Sequence, residues 1–210
     1  MVLSQLQPSG IIDPALGEAY SAIPREMFVP NAVRGVCYCD DAVDLGGGRE
    51  LIEPLYHGLM LQAAQLAPGM KVLDVGGASG YSAAILAKVG AVVTAVENDE
   101  KLLHAAQQNW MNLGLSGISP YVGANAQGYA KSGPYDVIIV NGAVGYRPDV
   151  LLGQLANGGK LFCIYVNNGE PIGRLVSYQK LENGEYAEKK LYDATSKFVP
   201  GFEPKQGFEF

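Results

Sequence analysis

Long apolar runs and charged residues are both scarce in this chain of 210 residues. No stretch approaches the roughly 18 consecutive apolar residues of a membrane span, so we expect no membrane partner. Residues 1–10 have neither a basic start nor an apolar core, and we expect no export signal there. Charged residues make up 17% and hydrophobic residues 48%, which excludes a disordered or fibrous chain. The length suits one α/β domain with an extension.

Cysteine and positive charge are also in short supply. The three cysteines, Cys37, Cys39 and Cys163, lack the number and spacing of a disulfide framework or a four-ligand zinc site. We therefore expect reduced cysteines, a cytoplasmic location and no metal. The net charge of −6 has the wrong sign for phosphate backbones, which makes nucleic acid a poor candidate partner.

Strand-like and helical patterns alternate beyond residue 70. Strands are predicted at 71–75, 91–96, 119–122, 135–140 and 159–166, and helices at 81–88, 99–113 and 148–155. Two further strand-like runs, 174–182 and 185–192, are separated by Asn183-Gly184, a strong hairpin signal. The pattern predicts a doubly wound, mostly parallel α/β sheet that ends in an antiparallel hairpin.

The first 60 residues differ from the rest and are expected to form a helical and loop extension, with the main domain at 61–210. Helical pieces are interrupted by Pro24 and Pro30, and Gly46-Gly47-Gly48 predicts a loop. A helix is predicted from Pro54 to Leu66.

A glycine-rich turn, 74–80, follows the first strand at the edge where open α/β sheets bind ligands. Glycines let a ligand approach the backbone, although such turns also serve packing alone. Glu97 ends the second strand, 21 residues after Gly76, where an acid can accept hydrogen bonds from both ribose hydroxyls of a nucleoside. Glu97 with the turn fits a nicotinamide dinucleotide or S-adenosylmethionine. The glycine spacing differs from G-x-G-x-x-G, which disfavours the dinucleotide and an NAD-dependent oxidoreductase.

The run 72–81 resembles the first motif of class I methyltransferases, and Ser79-Gly80-Tyr81 is similar to the form found in protein-L-isoaspartate O-methyltransferases. Segments 25–30, 134–140 and 154–161 also resemble that family, and the likeness covers about residues 20–165. It implies a seven-stranded Rossmann-like methyltransferase sheet, S-adenosyl-L-methionine as cofactor, and a protein-repair activity on a protein or peptide carboxylate. It also implies that residues 1–60 contribute to the acceptor side. We expect a monomer or homodimer.

The resemblance assigns roles to individual residues. Gly76, Gly77, Ser79 and Gly80 would follow the methionine part of the cofactor, and Glu97 would bind the ribose. Asn141 and Gly142 would face the methyl-transfer site. The full implied cofactor set is Asp74, Gly76, Gly77, Ala78, Ser79, Gly80, Glu97, Asn98, Ala124, Asn125 and Asn141.

Three departures from the family pattern concern the site itself. The family reads Gly-Gln-Thr-Ile-Ser, one residue and Pro, whereas this chain reads Gly-Arg-Glu-Leu-Ile-Glu-Pro at 48–54, so Ile52 replaces a serine placed near the acceptor. Gly-Asp-Gly becomes Gly-Ala-Asn at 123–125, and either Asn125 would meet the adenine amino group through its carbonyl oxygen or the adenine contact would be weaker or shifted. Position 78 carries alanine in place of the usual glycine.

Other polar residues near these motifs are interpreted first as structural or surface residues. Arg49, Glu50 and Glu53 are predicted to lie in a solvated loop, with an acceptor pocket as the alternative. His57 and His104 are predicted to be packing or surface residues, and a carboxylate acceptor needs no general base because it is already ionised. Three hypotheses remain: an isoaspartyl methyltransferase, a methyltransferase with another acceptor, and a cofactor-binding protein without catalysis.

Overall fold

The computed structural model describes residues 1–167 and 169–204, and its N-terminal part combines short helices with one β-hairpin. The elements are a π-helix at Val2–Leu6, helix α1 at Pro14–Ala22, 3-10 helices at Arg25–Phe28 and Asn31–Val36, strands β1 (Val43–Gly46) and β2 (Arg49–Leu51), and helix α2 (Pro54–Ala64). The predicted loop at 46–48 is therefore the turn between two antiparallel strands. Strands of three and four residues are too short to show an alternating pattern in sequence. Helix α2 runs across the domain boundary expected near residue 60, which stays a prediction.

Within the described residues, seven strands form one sheet in the order β5-β4-β3-β6-β7-β8-β9. They are β3 (Lys71–Val75), β4 (Val92–Glu97), β5 (Ile118–Val122), β6 (Tyr135–Val144), β7 (Leu155–Tyr165), β8 (Gly173–Lys180) and β9 (Tyr186–Ala194). Strands β3 to β7 pair in parallel, and β8 and β9 add antiparallel pairs at one edge. The predicted doubly wound sheet with a closing hairpin is confirmed.

The crossover helices follow the glycine-rich turn and the ends of the next strands. They are α3 (Tyr81–Lys88), α4 (Glu100–Asn112) and α5 (Asp149–Leu152). The Asp99 carboxylate accepts the backbone N–H groups of Lys101 and Leu102, which fixes the start of α4. Strand β3 is buried along four of its five residues because helices cover both faces of the parallel sheet.

The helix predicted at 148–155 is wrong in its extent. Helix α5 ends at Leu152, and strand β7 begins at Leu155, which pairs with Tyr135 of β6. A short apolar run next to glycine fits a helix and a buried strand equally well in sequence. Here the pairing with β6 decides for the strand.

The C-terminal segment 196–202 returns across the carboxyl end of β6. Ala143 of β6 forms two backbone hydrogen bonds with this segment. Its N–H donates to the oxygen of Lys197, and its oxygen accepts the N–H of Val199. Val199 and Phe202 are buried. The segment therefore covers the sheet edge where ligands of open α/β proteins bind. Phe208 and Phe210 lie outside the described residues.

Residues 1–167 and 169–204 contain no helix with both the length and the apolar character of a membrane span. Their three cysteines are free. No group of three or more His, Cys, Asp or Glu side chains among them could hold a metal ion.

Candidate functional site

The loop between β3 and α3 is held in a tight conformation by helix α4. Gly80 has a φ of +87°, and a Cβ on it would lie 2.6 Å from the Trp110 ring. Trp110 Nε1 donates to the Gly80 oxygen at 2.8 Å. Ala78 adopts a φ of +49°, a left-handed conformation that costs a non-glycine residue about 1–2 kcal/mol. The buried Ser79 Oγ has no hydrogen-bond partner among the described residues.

Asp74 connects the ends of two central strands from inside the protein. Ser82 Oγ donates to its Oδ1 at 2.5 Å, and Asn141 Nδ2 donates to the same atom at 2.8 Å. Burial raises the pKa of Asp74 from 3.8 to about 6, although the two hydrogen bonds act in the opposite direction. Asn141 Nδ2 also donates to the Val75 oxygen at 3.1 Å, so the end of β3 is fixed to the second half of β6.

Glu97 forms a buried, two-point ion pair with Arg49. Arg49 Nη1 lies 2.6 Å from Glu97 Oε1, and Nη2 lies 2.7 Å from Oε2. The exposed fractions of the two side chains are 7% for Arg49 and 2% for Glu97. Arg49 Nη2 also donates to the Gly76 oxygen at 2.9 Å, and Nη1 donates to Asn98 Oδ1 at 3.2 Å. The predicted ribose acid is thus bound by a side chain of the protein itself.

The solvated-loop prediction is wrong for Arg49. Its partners lie 48 and 27 positions away in the sequence, so nothing local announces the contact. The one available signal is the family pattern, in which glutamine stands at this position.

The predicted adenine residues gather beside Glu97. Asn125 is 1% exposed, and its Nδ2 donates to Asn98 Oδ1 at 3.1 Å and to the Pro200 oxygen at 3.4 Å. Its Oδ1 is buried and has no partner among the described residues. Ala124 precedes the 3-10 helix Asn125–Gln127. An unpartnered buried oxygen is costly, and a ligand N–H group would satisfy it.

Hairpin β1–β2 is tied to the C-terminal segment by charged side chains. Glu50 Oε1 accepts Ser196 Oγ at 2.7 Å and the Lys197 N–H at 2.8 Å. Lys197 Nζ lies 2.7 Å from Asp44 Oδ1 in an exposed pair. The same segment packs on Gly142, where a Cβ would lie 2.9 Å from the Lys197 oxygen.

A cavity with about 250 Å³ of empty space, which includes open solvent, lies between the extension and the glycine-rich loop. Its lining includes Glu50, Ile52, Asn141 and two side chains described below. The Ile52 side chain is buried and apolar, as the sequence predicts. A second cavity, with about 180 Å³ of empty space that includes open solvent, lies between Glu97, the glycine-rich loop and α4. Each cavity has room for only about 10 Å³ of water-sized molecules, far below the roughly 300 Å³ of typical ligand pockets.

Arg25 and His57 give the larger cavity a polar wall. Arg25 is 1% exposed, and it donates to the oxygens of Cys37 and Ile52 and stands 5.0 Å above the Tyr81 ring. Sequence reasoning missed this role, although Arg25 opens one of the family-like segments. Burial, assisted by Arg25, lowers the pKa of His57 to about 3, so the ring is neutral at pH 7.

The prediction of a packing role holds for the Nδ1 side of the His57 ring but not for its Nε2 side. Its Nδ1 lies 2.7 Å from the Tyr20 hydroxyl, while its buried Nε2 has no partner among the described residues. The Tyr81 hydroxyl is likewise buried without a hydrogen-bond partner. His104, by contrast, is exposed on α4.

Comparison with protein families gives a match along nearly the whole chain. A family model described as Protein-L-isoaspartate(D-aspartate) O-methyltransferase (PCMT) matches residues 1–205. A protein-L-isoaspartate O-methyltransferase of Methylorubrum populi is 35% identical over 200 residues, which cover 95% of this chain and 92% of the relative. One from a Picosynechococcus species is 38% identical over 161 residues, or 77% of this chain and 72% of the relative.

Two solved structures share the fold. A protein-L-isoaspartate O-methyltransferase superposes with a TM-score of 0.85 at 24% identity, over 97% of this chain and 66% of the other. A putative protein-L-isoaspartate O-methyltransferase from Plasmodium falciparum, solved in complex with S-adenosyl-L-homocysteine, gives a TM-score of 0.78 at 22% identity over 94% and 96% of the two chains. At these identities the likeness concerns the fold.

Proposed function

The chain belongs to the protein-L-isoaspartate(D-aspartate) O-methyltransferase family, and on that premise we propose that it transfers a methyl group from S-adenosyl-L-methionine to isoaspartyl carboxylates in proteins. The observation that carries the proposal is the meeting of Glu97, Asn125 and the glycine-rich loop at one edge of the sheet. Buried Glu97 supplies a carboxylate for the ribose, and the unpartnered Asn125 Oδ1 supplies an acceptor for the adenine amino group. These groups fit a nucleoside.

The remaining cofactor residues fit the methionine end. We assign Gly76, Gly77, Ser79 and Gly80 to it, since the free Ser79 Oγ and the start of α3 offer donors for a carboxylate. Asp74 does not contact the cofactor in this proposal and instead holds Asn141 in place. The sulfonium supplies an activated methyl group when the cofactor is bound.

The chain's own residues then have to orient the acceptor. Asn141 lines the larger cavity, and Gly142 follows it in β6 beneath the C-terminal segment. An acceptor carboxylate beside Asn141 would face the methionine end of the cofactor. Such a reaction relies on in-line positioning and on nearby dipoles more than on proton transfer. Neutral His57, with a pKa of about 3, does not serve as a general base at pH 7.

Acceptor recognition is assigned to the polar wall of the same cavity. Ile52 offers no hydroxyl, so another donor has to replace the serine of the family pattern. With the Tyr20 hydroxyl donating to Nδ1, the His57 ring carries its proton on Nε2 and can donate to the acceptor. The Tyr81 hydroxyl provides a second donor, and the Arg25 charge favours an anionic acceptor.

The test is methyl transfer to two peptides that differ at a single residue. The protein is incubated with methyl-labelled S-adenosyl-L-methionine and a peptide containing either isoaspartate or aspartate. Label on the isoaspartyl peptide alone, released by mild base as expected for a methyl ester, supports the proposal. Absence of transfer by folded protein that binds the cofactor rejects the isoaspartyl acceptor.

A second candidate is a family member that binds the cofactor but acts on another acceptor, or on none. The replacement of serine by Ile52 and the pairing of Arg49 with Glu97 favour it. Cofactor binding without transfer to any carboxylate would select the non-catalytic alternative. The free cysteines accord with a cytoplasmic location, and the oligomeric state is proposed to be monomer or homodimer.

A further inference from the structure

The Glu97 carboxylate has no accepting position left for a ligand. An ionised carboxylate offers about four lone-pair positions on its two oxygens. Oε1 accepts Arg49 Nη1 at 2.6 Å and the Asp99 N–H at 3.2 Å. Oε2 accepts Arg49 Nη2 at 2.7 Å and the Ala78 N–H at 2.8 Å. The two hydroxyls of a ribose can therefore bind only if other donors leave.

Arg49 is the donor that can leave. The N–H groups of Ala78 and Asp99 are backbone donors, one in the buried glycine-rich turn before α3 and one in the residue that caps α4. Arg49 instead begins β2, next to the hairpin turn. Withdrawal of its guanidinium frees one position on each oxygen, which matches the two hydroxyls of a ribose.

The remaining contacts of Arg49 point to the same site. Its other acceptors are the Gly76 oxygen and Asn98 Oδ1, two residues of the implied cofactor set. The guanidinium thus binds where a nucleoside would bind. The Arg49 side chain therefore occupies this site in the place of a bound ligand.

The hairpin has room to move its tip. Gly46, Gly47 and Gly48 all have positive φ, and a Cβ placed on any of them would find no atom within 4 Å. Close to the turn, hairpin β1–β2 is attached to the segment 196–197 through Glu50 and through the exposed pair of Asp44. A shift of the tip can release Arg49 without disturbing the seven-stranded sheet, to which β1 and β2 do not belong.

We propose that Arg49 competes with the cofactor for Glu97, so that cofactor binding expels the guanidinium and opens the site. The proposal rests on the proposed function, because it needs a nucleoside at Glu97. The apparent affinity for the cofactor is then lowered by the small fraction of molecules in which Arg49 is withdrawn. Glutamine, the residue of the family pattern at this position, cannot form the ion pair.

The test is calorimetric titration with S-adenosyl-L-homocysteine of three proteins: the unaltered chain, Arg49→Gln and Arg147→Gln. The control removes an arginine from an exposed pair with Asp149, outside the site. Arg49→Gln is expected to bind at least about tenfold more tightly than the unaltered chain, the ratio set by the open fraction. Arg147→Gln is expected to match the unaltered chain.

The outcomes separate the two proposals. Equal or weaker binding by Arg49→Gln, with clear binding by the unaltered chain, overturns the competition and leaves the proposed function standing. No binding by any of the three folded proteins rejects both. Binding by Arg49→Gln alone supports the competition in its strongest form.

A second measurement covers the case in which Arg49→Gln does not fold. Hydrogen exchange of the unaltered protein is followed at the amides of 46–50 with and without saturating S-adenosyl-L-homocysteine. Faster exchange in its presence is expected, because the expelled Arg49 no longer holds the hairpin. Unchanged or slower exchange overturns the proposal.

Discussion

Asp74 is a buried carboxyl group whose protonation differs between the folded and unfolded chain. Its pKa is raised from 3.8 to about 6 by burial. Between these pH values the folded protein holds a proton that the unfolded chain has lost, so stability falls as pH rises through the window and is level above it. A difference of about two between the pKa values corresponds to roughly 3 kcal/mol.

Replacement of Asp74 by asparagine is expected to remove this dependence. Urea unfolding of the unaltered chain and of Asp74→Asn, measured from pH 4 to pH 7, gives the difference in the free energy of unfolding. That difference should change by up to about 3 kcal/mol between pH 4 and 6 and then stay constant. Asp149→Asn, at an exposed position, is the control. Identical pH profiles for Asp74→Asn and the unaltered chain would contradict the prediction.

Some site residues could be located from a sequence motif, whereas others owe their position to a partner far away in the sequence. Glu97 and Asn125 could be predicted, because strand ends and family spacing locate them at the ligand edge. Arg49 could not, since its role depends on a carboxylate 48 residues away. The same holds for Arg25, whose acceptors lie 12 and 27 positions further along the chain.

Packing of helix α4 against the glycine-rich loop provides a test at the level of elements. A Cβ on Gly80 would lie 2.6 Å from both Ala106 and Trp110, and the backbone there is left-handed. Gly80→Ala is expected to lower the free energy of unfolding by at least about 3 kcal/mol, from overpacking and backbone strain together. Chemical denaturation measures the change.

Gly114 is the matched control for this substitution. It also has a positive φ, but a Cβ there would meet no atom within 4 Å. Gly114→Ala is therefore expected to cost only about 1–2 kcal/mol, from strain alone. Equal losses for the two variants would mean that α4 does not clamp the loop.

The link between hairpin β1–β2 and the C-terminal segment is a second test at this level. Glu50 accepts two hydrogen bonds from residues 196 and 197, so Glu50→Ala is expected to lower the free energy of unfolding by about 2 kcal/mol. Hydrogen exchange at 196–199 should accelerate. Lys197→Ala removes only an exposed ion pair and should leave exchange nearly unchanged. The reverse order of effects would contradict the assignment.

Elements were predictable where the pattern is long and ambiguous where it is short. Strands β3, β4 and β6 were predictable because β-branched runs in a parallel sheet are apolar on both faces. The run 148–155 changes from helix to strand at Leu155, and only pairing with β6 reveals the boundary. Strands β1 and β2 are too short to carry a signal.

At the scale of the whole molecule, the family resemblance predicted from residues 20–165 is confirmed by a match over residues 1–205. The mostly parallel sheet and its C-terminal hairpin were predicted from the alternating pattern and from Asn183-Gly184, and the resemblance added the number of strands. What it did not predict is a cofactor edge closed by Arg49 and by the segment 196–202. Closure depends on contacts between residues far apart in the chain, Arg49 with Glu97 and Glu50 with Lys197, and such contacts leave no local pattern in sequence.

The most direct measurement of the proposed activity is transfer of labelled methyl from S-adenosyl-L-methionine to an isoaspartyl peptide, alongside its aspartyl counterpart. The structure predicts a base-labile ester on the isoaspartyl peptide, at most one per isoaspartyl residue, and none on the counterpart. A folded protein that binds S-adenosyl-L-homocysteine and yet labels neither peptide would contradict it.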